Sequence, residues 1–232
     1  MRVVGIDGCK DNWMAVELEH GQFKQARLVQ SLEQAIRAFP DAVAYGVDIP
    51  IGFPVRGPRL ADATARAVLG SRGRSIFDAV PPKLLKLATY EDVQAAVEAA
   101  RAKGIETTCP SRQSWGLKKK MLEANRIAAA DRRIFEVHPE VSFWAMRGQK
   151  PVLESKRTWA GFWIRRRLLQ REGILIPDAI ENGELAGIDD VLDAAACAWT
   201  AHRIGRTHAA GHFPPPGQEQ PDENGRPVAI WY

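Results

Sequence analysis

The sequence predicts a single α/β domain over residues 1–232, with a mixed sheet, flanking helices and a helical insertion at about 55–130. Three observations predict it. Short apolar or alternating segments open the chain, a helical segment separates the third from the fourth, and longer helical patterns fill most of the remainder. No stretch has the composition of a linker, and α/β domains of this length often fold as one unit.

The first three strands are expected to form a meander. Residues 2–7 are an apolar run that ends at Asp7-Gly8, which is typical of a buried strand reaching a turn. Segments 12–19 and 22–29 follow with near-alternating polarity, and His20-Gly21 between them is a plausible hairpin corner.

A helix then leads to the fourth strand. Ser31 and Gln34 form a capping-box pattern at the head of an apolar helical face that ends at Pro40, and the next apolar run, 42–47, ends at Asp48. A helical crossover makes the fourth strand a parallel neighbour of the first. Asp7 and Asp48 should therefore lie together at the carboxyl ends of two strands, where open α/β sheets bind ligands.

The rest of the chain is mainly helical. A short strand at 134–138 is expected to end at Pro139. Helices are predicted at 59–69, 91–103, 117–132, 156–172 and 189–204, with Asp189 or Asp190 as the cap of the last, and the tail from 214 is a loop that ends in an extended segment.

Composition narrows the class of protein. Hydrophobic residues make up 45% and charged residues 26%, which excludes a disordered or collagen-like chain. No apolar run approaches the roughly 18 residues that a membrane span needs. The three cysteines form no C-x-x-C pair, so a disulfide framework or zinc ribbon is not expected. These features predict a soluble, cytoplasmic protein.

Basic residues cluster along the chain, although the formal net charge is only +4. One window runs from Arg56 to Arg74, a second from Arg112 to Arg133, and a third is Arg165-Arg166-Arg167. Such patches attract polyanions, which suggests nucleic acid as a partner, but each is also compatible with an ordinary solvated helix face.

Acidic residues fall where strands end or a helix begins: Asp7, Asp48, Glu136, Asp190 and Asp193. Carboxylates gathered at one sheet edge repel one another, and Mg²⁺ or Mn²⁺ is the cation that carboxylates and water suit. Asp190 and Asp193 are three residues apart and share a helix face, followed by small residues that permit close approach to the sheet. Each acid also has a plainer explanation, as a turn former, a helix cap or an exposed strand residue.

Several motifs resemble a family of unknown function, numbered 429, whose members are regarded as predicted nucleases with a ribonuclease-H-like fold. They span nearly the whole chain in order. The residues that carry the resemblance are Gly5-Ile6-Asp7-Gly8-Cys9-Lys10 with Trp13, Asp48-Ile49-Pro50-Ile51-Gly52, Arg59-Leu60-Ala61-Asp62 with Arg66, Leu69-Gly70, Arg72, Ser75-Ile76-Phe77, Glu136-Val137-His138-Pro139-Glu140, Phe143, Lys156, Gly161, Arg165 and Asp190-Val191-Leu192-Asp193-Ala194.

The resemblance implies a five-stranded sheet in the order 3-2-1-4-5, with the first three strands antiparallel. It also implies that strand 1, strand 4 and the last helix supply metal-binding acids, which correspond here to Asp7, Asp48 and Asp193 or Asp190. Glu136, on the fifth strand, occupies a less standard position for such a role.

Substrate contacts are expected from the arginine segment. Arg59, Asp62 and Arg66 share one helix face, and Arg72 and Ser75 follow in a loop. Arginines there could grip phosphates, or could pair internally with Asp62 to fix the insertion. Lys156 is either a phosphate contact or part of an ordinary ion pair.

The sequence therefore predicts a Mg²⁺- or Mn²⁺-dependent nuclease, with Asp7, Asp48 and Asp193 as metal ligands and Asp190 and Glu136 in auxiliary roles. Two alternatives stay open: a small-molecule phosphotransferase of actin-like topology, and a catalytically silent nucleic-acid-binding protein. P-loop, dinucleotide-binding and α/β-hydrolase motifs are absent from the sequence. The pair His208 and His212 has no evident third ligand for zinc.

Overall fold

Five strands of the described residues form one mixed sheet in the order β3-β2-β1-β4-β5. The structure is a computed structural model, which describes residues 1–55, 57–105, 107, 109–180, 186–206 and 209–232. Strands β1 (Arg2–Cys9), β2 (Asn12–Glu19) and β3 (Gln22–Val29) are antiparallel. Strands β4 (Tyr45–Asp48) and β5 (Ile134–Glu136) continue the sheet parallel to β1.

Turn chemistry fixes the start of this sheet. His20 and Gly21 both have positive φ, 55° and 84°, as a type I′ hairpin turn requires, so the expected corner between β2 and β3 is confirmed. Helix α1 (Leu32–Ala38) then makes the crossover to β4, and the Ser31 side chain caps it by accepting from the Gln34 backbone N–H at 3.1 Å.

The chain between β4 and β5 is largely helical. Thr89 and Asp92 form a capping box at the start of the helix at Tyr90–Ala102, one of the two 13-residue helices described in this region. The helices are α2 (Leu60–Leu69), α3 (Pro82–Leu85), α4 (Tyr90–Ala102), α5 (Arg112–Gly116) and α6 (Lys118–Ala130), with a 3₁₀ segment at Gly70–Ser75.

After β5 come α7 (Pro139–Met146), α8 (Trp159–Arg171) and α9 (Ile188–Gly205). The tail adds two small antiparallel pairs, β6 (His212–Phe213) with β9 (Ile230–Trp231) and β7 (Gln220–Pro221) with β8 (Pro227–Val228).

Helix α9 lies directly on one face of the sheet. A Cβ atom on Gly5 would overlap the α9 backbone at Ala194 and Ala198, and one on Gly46 would lie 2.5 Å from the Cys197 carbonyl oxygen. Glycine in the strands and small residues in the helix therefore allow a backbone-to-backbone approach, as the small residues after Asp193 predict. Helices α1 and α6 cover the opposite face, over Val4, Ile6 and Val47.

Three expectations from the sequence are corrected. Strand β1 continues two residues past Asp7, because β2 pairs with it as far as Cys9. Pro139 does not simply stop a strand, since it is the first residue of helix α7, a position that tolerates its missing N–H. Helix α8 starts at Trp159 with Thr158 as its cap rather than at Lys156. Among the described residues, no helix combines the length and apolarity needed to cross a membrane.

Candidate acidic site at the sheet edge

Two aspartates stand side by side at one end of the sheet. Asp7 on β1 and Asp48 on β4 are register partners in the parallel ladder, and adjacent strands lie about 4.8 Å apart. Side chains alternate along a strand, so both aspartates share the face of Gly5 and Gly46, which α9 covers. Asp7 is only 6% exposed, whereas Asp48 is half-buried. The crossover thus brings together the two acids that the sequence places at neighbouring strand ends.

The first two turns of α9 bring further carboxylates to this edge. Asp193 is 2% exposed and lies close enough to Asp7 and Asp48 for their charges to act on one another. Asp190 has a structural task as well, because its carboxylate accepts the Gly187 backbone N–H at 2.8 Å. The cap of α9 is therefore Gly187, with Asp190 at the third helical position, and not Asp189 or Asp190 as the sequence suggests.

Burial and mutual repulsion make these carboxyls hard to ionise. Burial is the main cause that raises the pKa of Asp7 well above its ordinary value, and the charges of Asp48 and Asp193 add to it. Burial also raises the pKa of Asp193 to about 7, although the neighbouring Lys156 ammonium favours the ionised form. Repulsion among these carboxylates disfavours their ionised forms, and a bound cation would reduce that repulsion.

Lys156 is a cation of the chain itself that makes ion pairs with this cluster. Its Nζ lies 2.5 Å from Asp193 Oδ2 and 3.0 Å from Asp189 Oδ2. Burial opposes the charge on Lys156, but the two carboxylates outweigh burial and raise its pKa. Lys156 is therefore held in an ion pair at the acidic edge, one of the two roles that the sequence leaves open for it.

A cavity of about 620 Å³ opens over the cluster, and the acids line one side of it. Cationic side chains occupy other parts of its wall, including Lys120, whose Nζ donates to the Asn12 carbonyl and lies over the Trp13 ring. The cavity also touches Cys9, but burial raises the pKa of that thiol to about 11, which leaves it protonated at neutral pH and a poor nucleophile. The cavity wall therefore combines carboxylates with cationic side chains.

Glu140 is a site residue that the sequence interpretation missed. It is 5% exposed, lines the cavity, and is held by both its oxygens on the Arg165 guanidinium at 2.7 and 2.8 Å. Arg72 Nη2 also donates to it, at 3.1 Å. The signal was present in the sequence, because Glu140 follows Pro139 at the start of a helix where an acid is favourable.

Glu136 also lines the cavity, but it lies on the other face of the sheet from the aspartate cluster. It is the register partner of Val47, whose side chain belongs to the core on the α1 and α6 face, so Glu136 points away from α9. There Arg59 donates to both Glu136 and Asp62, and Glu136 accepts the Ile51 backbone N–H at 2.6 Å. The three side chains form a buried network, which is the internal pairing left open for Arg59 and Asp62. Burial raises the pKa of Glu136 to about 7 against the effect of Arg59.

The other residues of the arginine segment have varied surroundings. Arg66 is not among the residues that line the cavity and donates to the Ile76 carbonyl and to Asp78, whereas Arg72 and Ser75 line the cavity. The Ser75 hydroxyl donates to the Arg72 carbonyl at 2.8 Å. Arg56 lies outside the described residues, as does His208 of the disfavoured histidine pair.

Not every predicted basic stretch is a surface patch. Arg165 is fully buried on Glu140, which corrects its interpretation as part of an exposed arginine triplet. Arg133 pairs with Asp131, and Lys118 donates to the Leu87 carbonyl. These partners are internal, so the second and third stretches contribute less free positive charge than their composition suggests.

The donor set suits a hard cation. Within the described ranges, the carboxylates of Asp7 and Asp48 have no hydrogen-bond or ion-pair partner. No three His, Cys, Asp or Glu side chains in that part of the chain form a ready-made metal cage. Mg²⁺ does not require one, because it is commonly held by one or two carboxylates together with water and substrate phosphates. Asp7 and Asp48 fit that description.

The fold and this cavity define the class: an α/β protein with a five-stranded mixed sheet whose edge carries an acidic cluster. The chain belongs to the family described as "Protein of unknown function (DUF429)", whose model matches residues 5–219. That match covers nearly the whole chain and includes every acid of the cluster. No curated protein and no solved structure matches the chain significantly.

Proposed function

We propose that this protein is a divalent-metal-dependent phosphodiesterase that acts on nucleic acid, a nuclease with a ribonuclease-H-like fold. One observation carries the proposal: Asp7 and Asp48 lie side by side on adjacent strands, one of them deeply buried, with no partner for either carboxylate among the described residues. Unpaired buried carboxylates are costly, so they are kept where they bind a cation.

The strand order supports the fold part of the proposal. The order β3-β2-β1-β4-β5, with β1–β3 antiparallel and β4 and β5 parallel to β1, is the arrangement that the family resemblance implies. It places acids from the first strand, the fourth strand and the last helix at one edge.

Each side chain then has a task. Asp7 and Asp48 would hold Mg²⁺ or Mn²⁺, with Asp193 beside them. The cation would lower the pKa of bound water and stabilise the charge that develops on the phosphate. Asp7 is only 6% exposed, and charge interactions are stronger in such buried surroundings than in bulk water.

Arg72 is the residue best placed to bind a substrate phosphate. It lines the cavity, and its Nε atom is buried without a hydrogen-bond partner. Its contact with Glu140 uses only one of its terminal nitrogens. A guanidinium with free donors facing an acidic site suits a phosphate held on a metal ion between the two.

Cleavage of labelled RNA and DNA oligonucleotides, single- and double-stranded, tests the proposal with Mn²⁺ or Mg²⁺ present. We expect metal-dependent cleavage that falls by at least about 100-fold in Asp48→Asn. Asp41→Asn is the matched control, since Asp41 is an exposed aspartate near the start of β4 and the contact it makes is with the surface residue Arg2.

Two other outcomes overturn the proposal in favour of the alternatives. Salt-sensitive oligonucleotide binding that needs no metal, without cleavage of any substrate, identifies a silent nucleic-acid-binding protein. Stabilisation by ATP with phosphate transfer to a small molecule identifies a phosphotransferase instead.

The role of Arg72 has its own comparison. Arg72→Ala should raise KM for the oligonucleotide about 10-fold or more, because a hydrogen bond to a charged group is worth about 1.5–3 kcal/mol. Glu140 keeps both bonds to Arg165 in that variant, so its carboxylate is not left unpaired. Arg74→Ala, at an exposed arginine two residues away, should leave KM unchanged.

A further inference from the structure

The carboxylates at the sheet edge are not equally available to a cation. Asp190 caps α9 through the Gly187 N–H, and Asp189 and Asp193 share the Lys156 ammonium. Asp7 and Asp48 alone have no partner within the described residues. The cluster therefore contains two pairs of carboxylates. Asp7 and Asp48 have no partner among the described residues, whereas Asp189 and Asp193 already bind the Lys156 ammonium.

Lys156 is held in place by its backbone as well as by its ion pairs. The Thr158 hydroxyl and backbone N–H both donate to the Ser155 carbonyl, at 2.8 and 2.9 Å. Arg165 donates to the Glu154 carbonyl at 2.9 Å, and the Gly161 backbone packs so tightly on Ser155 that a side chain there would overlap it. The lysine thus projects from a fixed turn, and its side chain is only 32% exposed.

We propose that the site binds a single divalent cation, on Asp7 and Asp48, and that the Lys156 ammonium is the second positive charge, fixed on Asp193 by Asp189. This inference rests on the proposed function and specifies how that site is built. A two-ion site places its cations on either side of the reacting phosphate, one toward the attacking water and one toward the leaving oxygen.

The divalent cation and the Lys156 ammonium would have different roles. The position at Asp7 and Asp48 is the one where a cation can activate water, because these are the carboxylates of the described cluster that have free oxygen ligands. An ammonium cannot lower the pKa of water as a divalent ion does, but it can neutralise charge on a phosphate oxygen and donate a hydrogen bond to it. Lys156 would therefore act on the leaving-group side.

The number of Mn²⁺ ions bound per chain tests this without measuring activity. Equilibrium dialysis with Mn²⁺ at about pH 8, where carboxylates are mostly ionised, should give one ion per wild-type chain. Lys156→Met keeps most of the side-chain volume and removes the charge, which frees Asp189 and Asp193. We expect this variant to bind two ions, and paramagnetic resonance to report a coupled Mn²⁺ pair. Lys156→Arg retains the charge and should bind one.

Lys150→Met is the matched control, because Lys150 is exposed and lies before the same turn; its stoichiometry should stay at one. Two ions bound by the wild-type chain would overturn the inference and leave the proposed function intact. One ion in both the wild type and a folded Lys156→Met would also overturn it. No ion bound by the wild type removes the proposed function itself. If Lys156→Met fails to fold, the wild-type count still decides the number of ions, and Lys156→Gln replaces it as the test of the lysine: one ion bound by that folded variant would overturn the inference.

Discussion

Asp7 and Asp48 are direct register partners in the β1–β4 ladder, and both face helix α9. The two carboxylates stand on adjacent strands, and neither has a hydrogen-bond or ion-pair partner among the described residues. Because this arrangement destabilises the folded state, measurements of stability can test it before a substrate is known.

Removing the charge at Asp7 should stabilise the metal-free protein. Asp7→Asn keeps the shape of the side chain and eliminates a buried charge that Asp48 and Asp193 repel, so we expect unfolding to cost about 1 kcal/mol more, or Tm to rise by about 2–4 °C. Urea unfolding in the presence of a metal chelator measures this change in the free energy of unfolding. The comparison variant is Asp189→Asn, which should destabilise slightly, because Lys156 holds the pKa of Asp189 below its ordinary value despite burial. A destabilised Asp7→Asn would contradict this account of the cluster.

The metal-free protein should lose stability as pH rises from about 4 to about 7. Burial raises the pKa of Asp7, and raises the pKa of Asp193 and Glu136 to about 7, so the folded state holds protons that the unfolded chain releases near pH 4. The free energy of unfolding should fall across this window, because the unfolded chain releases its protons there while the folded state retains them. Unfolding curves at stepped pH measure the slope, which Asp7→Asn should reduce and Asp41→Asn should leave unchanged. Equal slopes in all three proteins would show that Asp7 does not titrate as described.

Arg59 should be essential to stability rather than to substrate binding. It is buried between Asp62 and Glu136, so Arg59→Met leaves two buried carboxylates without their cation and should cost about 3–5 kcal/mol. Adding Glu136→Gln should restore part of the lost stability, because it removes one of the two carboxylates that Arg59→Met leaves unpaired. Arg37→Met, at an exposed helical arginine, is expected to stay within about 0.5 kcal/mol of the wild type. An unchanged unfolding free energy for Arg59→Met would leave phosphate binding as its role.

Close contact between β1 and α9 should tolerate no side chain at Gly5. Gly5→Ala drives a methyl group into the backbone of Ala194 and Ala198, and overpacking of this kind costs about 1–3 kcal/mol or more. Because β1 also carries Asp7, two residues after Gly5, the same variant should weaken Mn²⁺ binding. Gly116→Ala is the control, since nothing lies within 4 Å of the added atom, and it should be neutral or slightly stabilising. Thermal unfolding of both variants tests this close packing of β1 on α9. A melting temperature of Gly5→Ala equal to that of Gly116→Ala would contradict it.

Much of the fold could be predicted because local signals agreed with the global arrangement. Alternation and the His20-Gly21 corner fix the bounds of β2 and β3, and the α1 crossover makes Asp7 and Asp48 neighbours. Asp193 could be placed by its spacing from Asp190 on one helix. These are short-range patterns that tertiary contacts reinforce.

What the sequence could not settle depends on contacts between distant segments. Glu136 was grouped with the other acids by its position at a strand end, but the pleat turns it to the opposite face, where Arg59 meets it across 77 residues of sequence. Arg165 was interpreted as surface charge because its neighbours are arginines, yet Glu140 buries it completely. The ion pair of Lys156 with Asp193 likewise joins the turn before α8 to helix α9, and only the folded chain brings these two segments together.

The most direct test of the central claim is an anomalous diffraction map from crystals soaked in Mn²⁺. We expect a strong peak at the carboxylates of Asp7 and Asp48 in the wild-type protein and no peak there in Asp7→Asn. A map in which Mn²⁺ lies elsewhere, or in which those two carboxylates stay free of metal at saturating concentration, would contradict it.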